Sequence, residues 1–149
     1  MNKSARAIVI ENNRILIMRR LKAGNQYYTL VGGGVKEGET LEQGVVREVK
    51  EETGLDVTSS QLVYVELHPE PYAEQYIFLC TVGPHGNDIA LSDDSEEKKL
   101  ADHSMQGNVH TPLWVDINSF KHLAFRTPQL QEAISIAFKK GFPKTPIKL

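Results

Sequence analysis

The sequence predicts an α/β sandwich in which a mainly β layer lies between helices. Three observations carry that expectation. Two apolar, β-rich runs, Ala5 to Ile10 and Ile15 to Arg20, flank Glu11-Asn12-Asn13-Arg14. A helix begins near Thr40 and stops at Gly54, after a third short strand. A second, amphipathic helix runs from Thr127 to Lys140, with Leu130, Ile134, Ala137 and Phe138 at helical spacing. Strands and helices interleaved in this way stack as layers around a shared core.

Size and composition agree. The chain has 149 residues, 40% hydrophobic and 24% charged. One domain over residues 1–149 is expected, large enough to bury a core without disulfides or a structural metal. A net charge of -2 gives no electrostatic reason to expect duplex nucleic acid or an anionic membrane as partner. Any polyanionic substrate must therefore be held by a few local cations or by bound metal. Cys80 is the only cysteine, which excludes an intramolecular disulfide and a cysteine zinc cluster. A reducing, cytoplasmic setting and a monomer or homodimer are expected. Met1-Asn2-Lys3-Ser4 leads into an apolar run too short and interrupted for a signal peptide or membrane span.

The elements follow in order. Paired Asn12 and Asn13 tolerate left-handed backbone, so the first two runs read as a β-hairpin. Tyr27 to Val31 is a third strand, ending in Gly32, Gly33 and Gly34. Thr40-Leu41-Glu42-Gln43 is a capping box: the threonine hydroxyl accepts from an early helix N–H and the glutamine reaches back. Gly54 ends the helix because glycine takes the left-handed conformation cheaply. Val57 to Leu67 and Gln75 to Val82 read as an antiparallel pair. The polar stretch from His85 to Asn108, with Asp93, Asp94, Glu96 and Glu97, is too long for a simple turn. Pro112 to Ile117 is a further strand, with Trp114 expected in the core. The tail around Pro143 and Pro146 is expected to be irregular.

The first helix carries the chemistry. At about 100° per residue, Glu48, Glu51 and Glu52 fall on one side, with Gly44 a turn earlier. Val45, Val46 and Val49 cluster on an adjacent face that would pack on the sheet, and Arg47 stands at salt-bridge spacing from Glu51. As a plain surface helix this is poorly built. Glu48 and Glu52 repel at i,i+4, at a cost of ~0.2–0.5 kcal/mol. Glu51 and Glu52 sit at the negative end of the helix dipole. Gly44 costs roughly 1 kcal/mol against alanine. A hard divalent cation would reverse the electrostatic penalties, with Gly44 leaving open space beside it for a ligand. The competing reading is a solvated acidic face neutralised by Arg47 and Lys50. The three glycines before the helix permit close approach of a ligand and offer a backbone carbonyl to a metal; they also suit a plain flexible connection.

The segment from Gly33 to Leu55 resembles the box of the Nudix hydrolases, G-x5-E-x7-R-E-U-x-E-E-x-G-U with U a bulky aliphatic residue. Gly33, Glu39, Arg47, Glu48, Val49, Glu51, Glu52, Gly54 and Leu55 match it at every spacing. The surrounding strands and Trp114-Val115-Asp116 also resemble the family. The resemblance implies the Nudix α/β/α sandwich with a mixed β-sheet between helices and dependence on Mg²⁺ or Mn²⁺. It also implies cleavage of a diphosphate bond in a nucleoside diphosphate linked to another moiety. Glu48 and Glu52 are then the principal metal ligands, with Glu51 a further ligand or the base, and the Gly32 carbonyl a backbone ligand. Arg47 orients a glutamate through a salt bridge, and Glu39 is either structural or a support behind the metal ligands. Val31 departs from the family, where many relatives carry proline.

Substrate selection is read from fewer cues. Arg19 and Arg20 end a strand, so alternation sends at most one of them to the cleft. Tyr72 and Tyr76 are candidates for stacking on a base, against ordinary packing. Pro71 and Tyr72 lie where Nudix subfamilies carry a proline (ADP-ribose type) or a tyrosine (dinucleoside polyphosphate type), and these cues compete. Glu96 and Glu97 are candidates for a base or substrate contact from the long polar stretch, which is expected to close over the cleft. The histidines show no spacing that suggests metal. Two alternatives stand beside the hydrolase reading: a house-cleaning pyrophosphatase for oxidised nucleoside triphosphates, and a non-catalytic nucleotide-binding module. Such modules often lose box glutamates, and this chain retains them.

Overall fold

A computed structural model of the chain describes residues 2–67, 74–86, 89 and 109–149. Strands β1 (Lys3–Ile8), β2 (Ile10–Glu11), β3 (Arg14–Lys22), β4 (Asn25–Thr29) and β5 (Val31–Gly34) precede helix α1 (Leu41–Thr53). Strands β6 (Val57–Glu66), β7 (Glu74–Val82) and β8 (Val109–Asp116) follow. Helices α2 (Ile117–Phe120) and α3 (Pro128–Lys140) and a short β9 (Ile147–Lys148) complete the order.

The strands form two sheets where the sequence suggests one mixed layer. The first is five-stranded and mixed, in the order β5-β1-β7-β6-β9, with β1 parallel to β7 and β6 parallel to β9. The second is antiparallel and centres on β3, which pairs with β8 along Arg14 to Leu21 and with β2 and β4. The expected hairpin shrinks accordingly. Only Ile10 and Glu11 pair with Ile15 and Arg14, around Asn12 and Asn13 at φ 52° and 61°. The rest of the first run, β1, pairs with β5 and β7 instead. An apolar alternating run shows that a segment is a strand; it does not choose the partner.

Both faces of the β layer are buried. Along β3, Ile15, Leu16, Ile17 and Met18 are all fully buried and alternate between two apolar clusters. One cluster joins Leu16 and Met18 to Ala7, Phe78, Val45 and Val49 beneath α1. The other joins Ile15 and Ile17 to Phe120, Leu130 and Ile134 of α2 and α3. This gives the expected α/β/α layering and explains why β3 reads as a continuous apolar run. β6 and β7 pair antiparallel as expected, and Thr127 caps α3.

Two expectations change. The tail is not wholly irregular: β9 pairs with Tyr64 and Val65, and the Leu149 amide donates to the Val65 carbonyl at 2.9 Å. Trp114 packs against the cluster beneath α1 yet stays half-buried, stacked on His85 with ring centroids 5.7 Å apart and 9° between planes. Among the described residues no helix is long and apolar enough to cross a membrane.

Candidate active site

The site grows from the start of α1. Thr40 Oγ1 accepts from the Gln43 amide at 3.1 Å, and Gln43 Oε1 accepts from the Thr40 amide at 2.9 Å, completing the capping box. Gly54 closes the helix at φ 81°, donating its amide to the Lys50 carbonyl. The helix therefore has a fixed rotation about its axis, and it buries Gly44, Val45, Glu48, Val49, Glu52 and Thr53. Val46, expected on the sheet face, is 41% exposed. It lies about 100° around the axis from Val45 and outside that stripe.

The carboxylates are not a solvated face. Glu52 is 0% exposed and Glu48 is 5% exposed. Glu51 is the more open, with 23% of its side chain exposed. Arg47 ties them together: its Nη1 donates to Glu48 Oε1 at 3.1 Å and to Glu51 Oε2 at 3.2 Å. Its Nε and Nη2 grip Glu39 side-on at 2.8 and 3.0 Å, and Nη2 also reaches the Gly34 carbonyl at 2.9 Å. The Glu39 hydrogen bonds, chiefly, push the Arg47 pKa further up. The same pairing holds the Glu39 carboxyl below the usual carboxylate range. A planar guanidinium with donors fixed in a fork suits this task; lysine would not.

The glycines meet the helix from the other side. The Gly32 amide donates to Glu52 Oε1 at 3.0 Å. Gly32 has φ 139°, and a Cβ there would overlap the Ala5 carbonyl and lie 2.6 Å from Arg6 Cα. A Cβ on Gly33 would stand 2.9 Å from Glu48 Oε1. These two glycines are required by close approach of the loop to the two buried carboxylates. Gly44 has a different reason. The open space expected beside it is filled: a Cβ there would meet Val35 Cγ2 at 3.1 Å and Glu39 Oε1 at 3.3 Å. Gly44 makes room for packing.

The residues expected to meet substrate divide. Arg20 is half-buried, donating from Nε to Thr29 Oγ1 at 2.8 Å, with Nη1 3.4 Å from His110 Nδ1. Arg19 is exposed and does not line the cavity beside Arg20, because strand alternation turns it to the other face. Tyr76 is a packing residue, with its hydroxyl donating to Glu74 at 2.7 Å. Tyr72, Glu97, Pro71, Glu96, Asp93 and Asp94 lie outside the described residues, as does the expected closure of the long polar stretch. Cys80 is buried, and burial pushes its thiol up to about 12.

Sequence reasoning misses one feature. A cavity of about 540 Å³ is lined by Arg6, Arg20, Tyr27, Thr29, Gln75 and Arg126, among others. Arg6 belongs to it and also donates to the Leu30 and Gly32 carbonyls at 3.2 and 3.3 Å. The signal was an arginine inside the apolar Ala5–Ile10 run, where a charge needs a local reason.

The donor set suits a hard divalent cation. Glu48, Glu51, Glu52 and the Gly32 carbonyl, which keeps an acceptor lone pair beside Arg6, all offer oxygen. Among the described residues, no three His, Cys, Asp or Glu side chains converge as a closed metal cluster. Mg²⁺ is commonly held by one or two carboxylates, with water and substrate phosphates supplying the remainder.

A family model described as NUDIX domain matches residues 1–133. The chain belongs to the Nudix family. An ADP-ribose pyrophosphatase of Methanocaldococcus jannaschii is 34% identical over 100 residues, covering 64% of this chain and 58% of that protein. An NAD-capped RNA hydrolase NudC of Vibrio atlanticus is 47% identical over 51 residues, covering 34% and 19%. The chain thus spans less than two thirds of either relative's length. A NUDIX hydrolase from Nitrosomonas europaea shares the fold, with a TM-score of 0.70 and 19% identity over 95% of this chain and 90% of that one.

Proposed function

We propose that the chain, as one Nudix domain over residues 1–149, hydrolyses the diphosphate bond of a nucleoside diphosphate linked to another moiety, using Mg²⁺ or Mn²⁺. The observation that carries this reading is the pair of carboxylates, Glu48 and Glu52, buried on one side of α1 against a glycine loop. Burying a carboxylate costs several kcal/mol before its partners are counted, on the order of the margin by which a domain is stable. Packing alone gives no reason for two of them.

Glu48 and Glu52 would hold the metal, with Glu51 and the Gly32 carbonyl beside them. Bound there, the ion supplies charge neutralisation of the diphosphate and a lowered pKa for water. Arg47 fixes Glu48 and Glu51 relative to each other through one nitrogen. Arg47 donates to Glu51 Oε2, so if Glu51 is the base, Oε1 is the atom that would accept a proton from the attacking water. The Gly32 amide orients Glu52. The names of the matched relatives, an ADP-ribose pyrophosphatase and an NAD-capped RNA hydrolase, support a diphosphate flanked by two organic groups.

The test is a screen of nucleotide-sugar, dinucleotide and nucleoside triphosphate substrates with Mg²⁺ and Mn²⁺, products being identified by mass. Metal-dependent release of a nucleoside monophosphate is the expected result. No cleavage of any of them, together with no metal binding by calorimetry up to millimolar concentration, would overturn the reading.

A further inference from the structure

Between Lys3 and Glu11 the sequence carries one charge, Arg6. Its neighbours Ala5 and Ala7 are fully buried in the cluster beneath α1, and Ile8 in the cluster on the other side. Alternation therefore starts the half-buried Arg6 side chain on the sheet face away from α1. From there it spans three strands. Nε donates to Gln75 Oε1 of β7 at 3.0 Å. Nη1 donates to the Leu30 and Gly32 carbonyls at 3.2 and 3.3 Å.

Those two carbonyls bracket a junction. β4 ends at Thr29 in the antiparallel sheet, and β5 starts at Val31 on the edge of the mixed sheet. One guanidinium nitrogen thus ties together the chain on both sides of the crossing. Gly32 stands opposite Arg6 in the β1–β5 register. The arginine stem passes close over it: a Cβ on Gly32 would lie 2.9 Å from Arg6 Cγ. The missing side chain leaves room for the stem to cross. Gly32 is buried, and its own amide donates to Glu52 Oε1 at 3.0 Å. Side chains from β1 and α1 hold its carbonyl and its amide. A carbonyl has two lone pairs, so a bond from Arg6 steers the group without filling it.

We propose that Arg6 is a positioning residue for the metal site, acting through Gly32, whose amide orients Glu52 and whose carbonyl is offered to the cation. The proposal rests on the hydrolase reading for the metal, and on these hydrogen bonds for the role of Arg6. Groups that orient a ligand from behind change metal affinity when they are removed, by roughly tenfold or more. Charge alone predicts the opposite sign, because taking a guanidinium away from a cation site should strengthen cation binding.

Two variants of the full chain test this, Arg6→Gln and Arg6→Lys. Glutamine removes the charge. Lysine keeps it, but a single terminal nitrogen cannot hold Gln75 and both carbonyls in the fork that arginine provides. Thermal melts select the variants that fold; lysine is the one expected to fold if the position needs a charge. Mn²⁺ affinity is read by titration calorimetry, and exchange of the Gly32 amide by NMR. Each folded variant should bind Mn²⁺ roughly tenfold more weakly and exchange the Gly32 amide faster than the parent. Parent-like Mn²⁺ affinity in Arg6→Lys would overturn the proposal, as would tighter binding in Arg6→Gln. Weaker binding with unchanged Gly32 exchange would overturn it too, since Arg6 would then act by another route. The two readings fail separately. A parent that binds Mn²⁺ and cleaves a diphosphate, with Arg6→Lys matching it throughout, keeps the hydrolase and removes the role of Arg6. A parent that does neither removes the hydrolase, and leaves the hold of Arg6 on Gly32 to be read from amide exchange alone.

Discussion

Helices α1 and α3 share a plan and differ in what they bury. Each has 13 residues, a threonine N-cap that accepts from the third residue's amide, and a glycine after the last turn. α3 buries Leu130, Ile134 and Ala137. α1 buries Val45 and Val49, and with them Glu48 and Glu52. A buried Leu or Ile stabilises by ~1.5–3 kcal/mol, whereas each buried carboxylate costs several kcal/mol before compensation. The same local code therefore makes one helix that serves the core and one that buries charge at a cost in stability, as the proposed metal site would require.

The strongest way to break that contrast is to exchange the consequences. Glu52→Gln keeps the shape of the side chain and removes its charge. Turnover should fall about 10²-fold or more, the scale of losing a catalytic group, while the melting temperature holds or rises. Ile134→Ala should do the opposite, destabilising by ~2–5 kcal/mol through a core cavity with the turnover of the folded fraction unchanged. Initial rates and melts on both variants decide it. If Glu52→Gln unfolds the chain and keeps its rate when folded, α1 is an ordinary structural helix.

A smaller effect separates two glycines around α1. Gly33→Ala puts a Cβ 2.9 Å from Glu48 Oε1, so that carboxylate must shift. Turnover should drop roughly tenfold, since misplacing a reacting group by an ångström is costly, with little change in stability. Gly44→Ala gains about 1 kcal/mol of helix propensity and loses part of it against Val35 and Glu39. Its rate should stay near the parent's. Equal rates for the two variants would remove the distinction between a glycine for the site and a glycine for packing.

The two helices also differ in how well the sequence reveals them. Caps and stops are local, so Thr40, Gly54 and Thr127 mark the helix boundaries directly. The alternation of Arg19 and Arg20 is local too, and Arg20 indeed turns inward. What depends on distant chain is less legible. The burial of Glu48 and Glu52 requires the glycine loop to fold over them, and nothing within the helix says so. Gly44 looked like space for a ligand because Val35 and the Glu39 side chain, packed there by the fold, are invisible to a helical wheel. The split of the first hairpin between two sheets, and the convergence of Arg6, Arg20 and Arg126 from separate segments, are tertiary facts of the same kind.

The smallest expected effect concerns Glu39, whose side-on pair with Arg47 has no counterpart among the contacts of α3 described above. Its carboxyl is held below the usual carboxylate range, first by the Arg47 hydrogen bond. A carboxylate whose pKa is lower folded than unfolded contributes stability that is complete above the unfolded value. That contribution is lost as pH falls through the folded one. Glu39→Gln should therefore lower stability at pH 7 by about 1 kcal/mol, the upper range for a partly exposed pair. The difference from the parent should vanish once the pH is below the folded pKa, where Glu39 itself is neutral. The substituted glutamine keeps an oxygen for the Lys36 amide, so the loop contact survives and the ion pair alone is removed. The destabilisation by Ile134→Ala involves no titrating group and should be the same at both pH values. Denaturant melts of the two variants and the parent across acid pH measure both curves. A Glu39→Gln difference that persists unchanged into acid would mean that the residue acts through shape, and that Arg47 is oriented by Glu48, Glu51 and the Gly34 carbonyl without it.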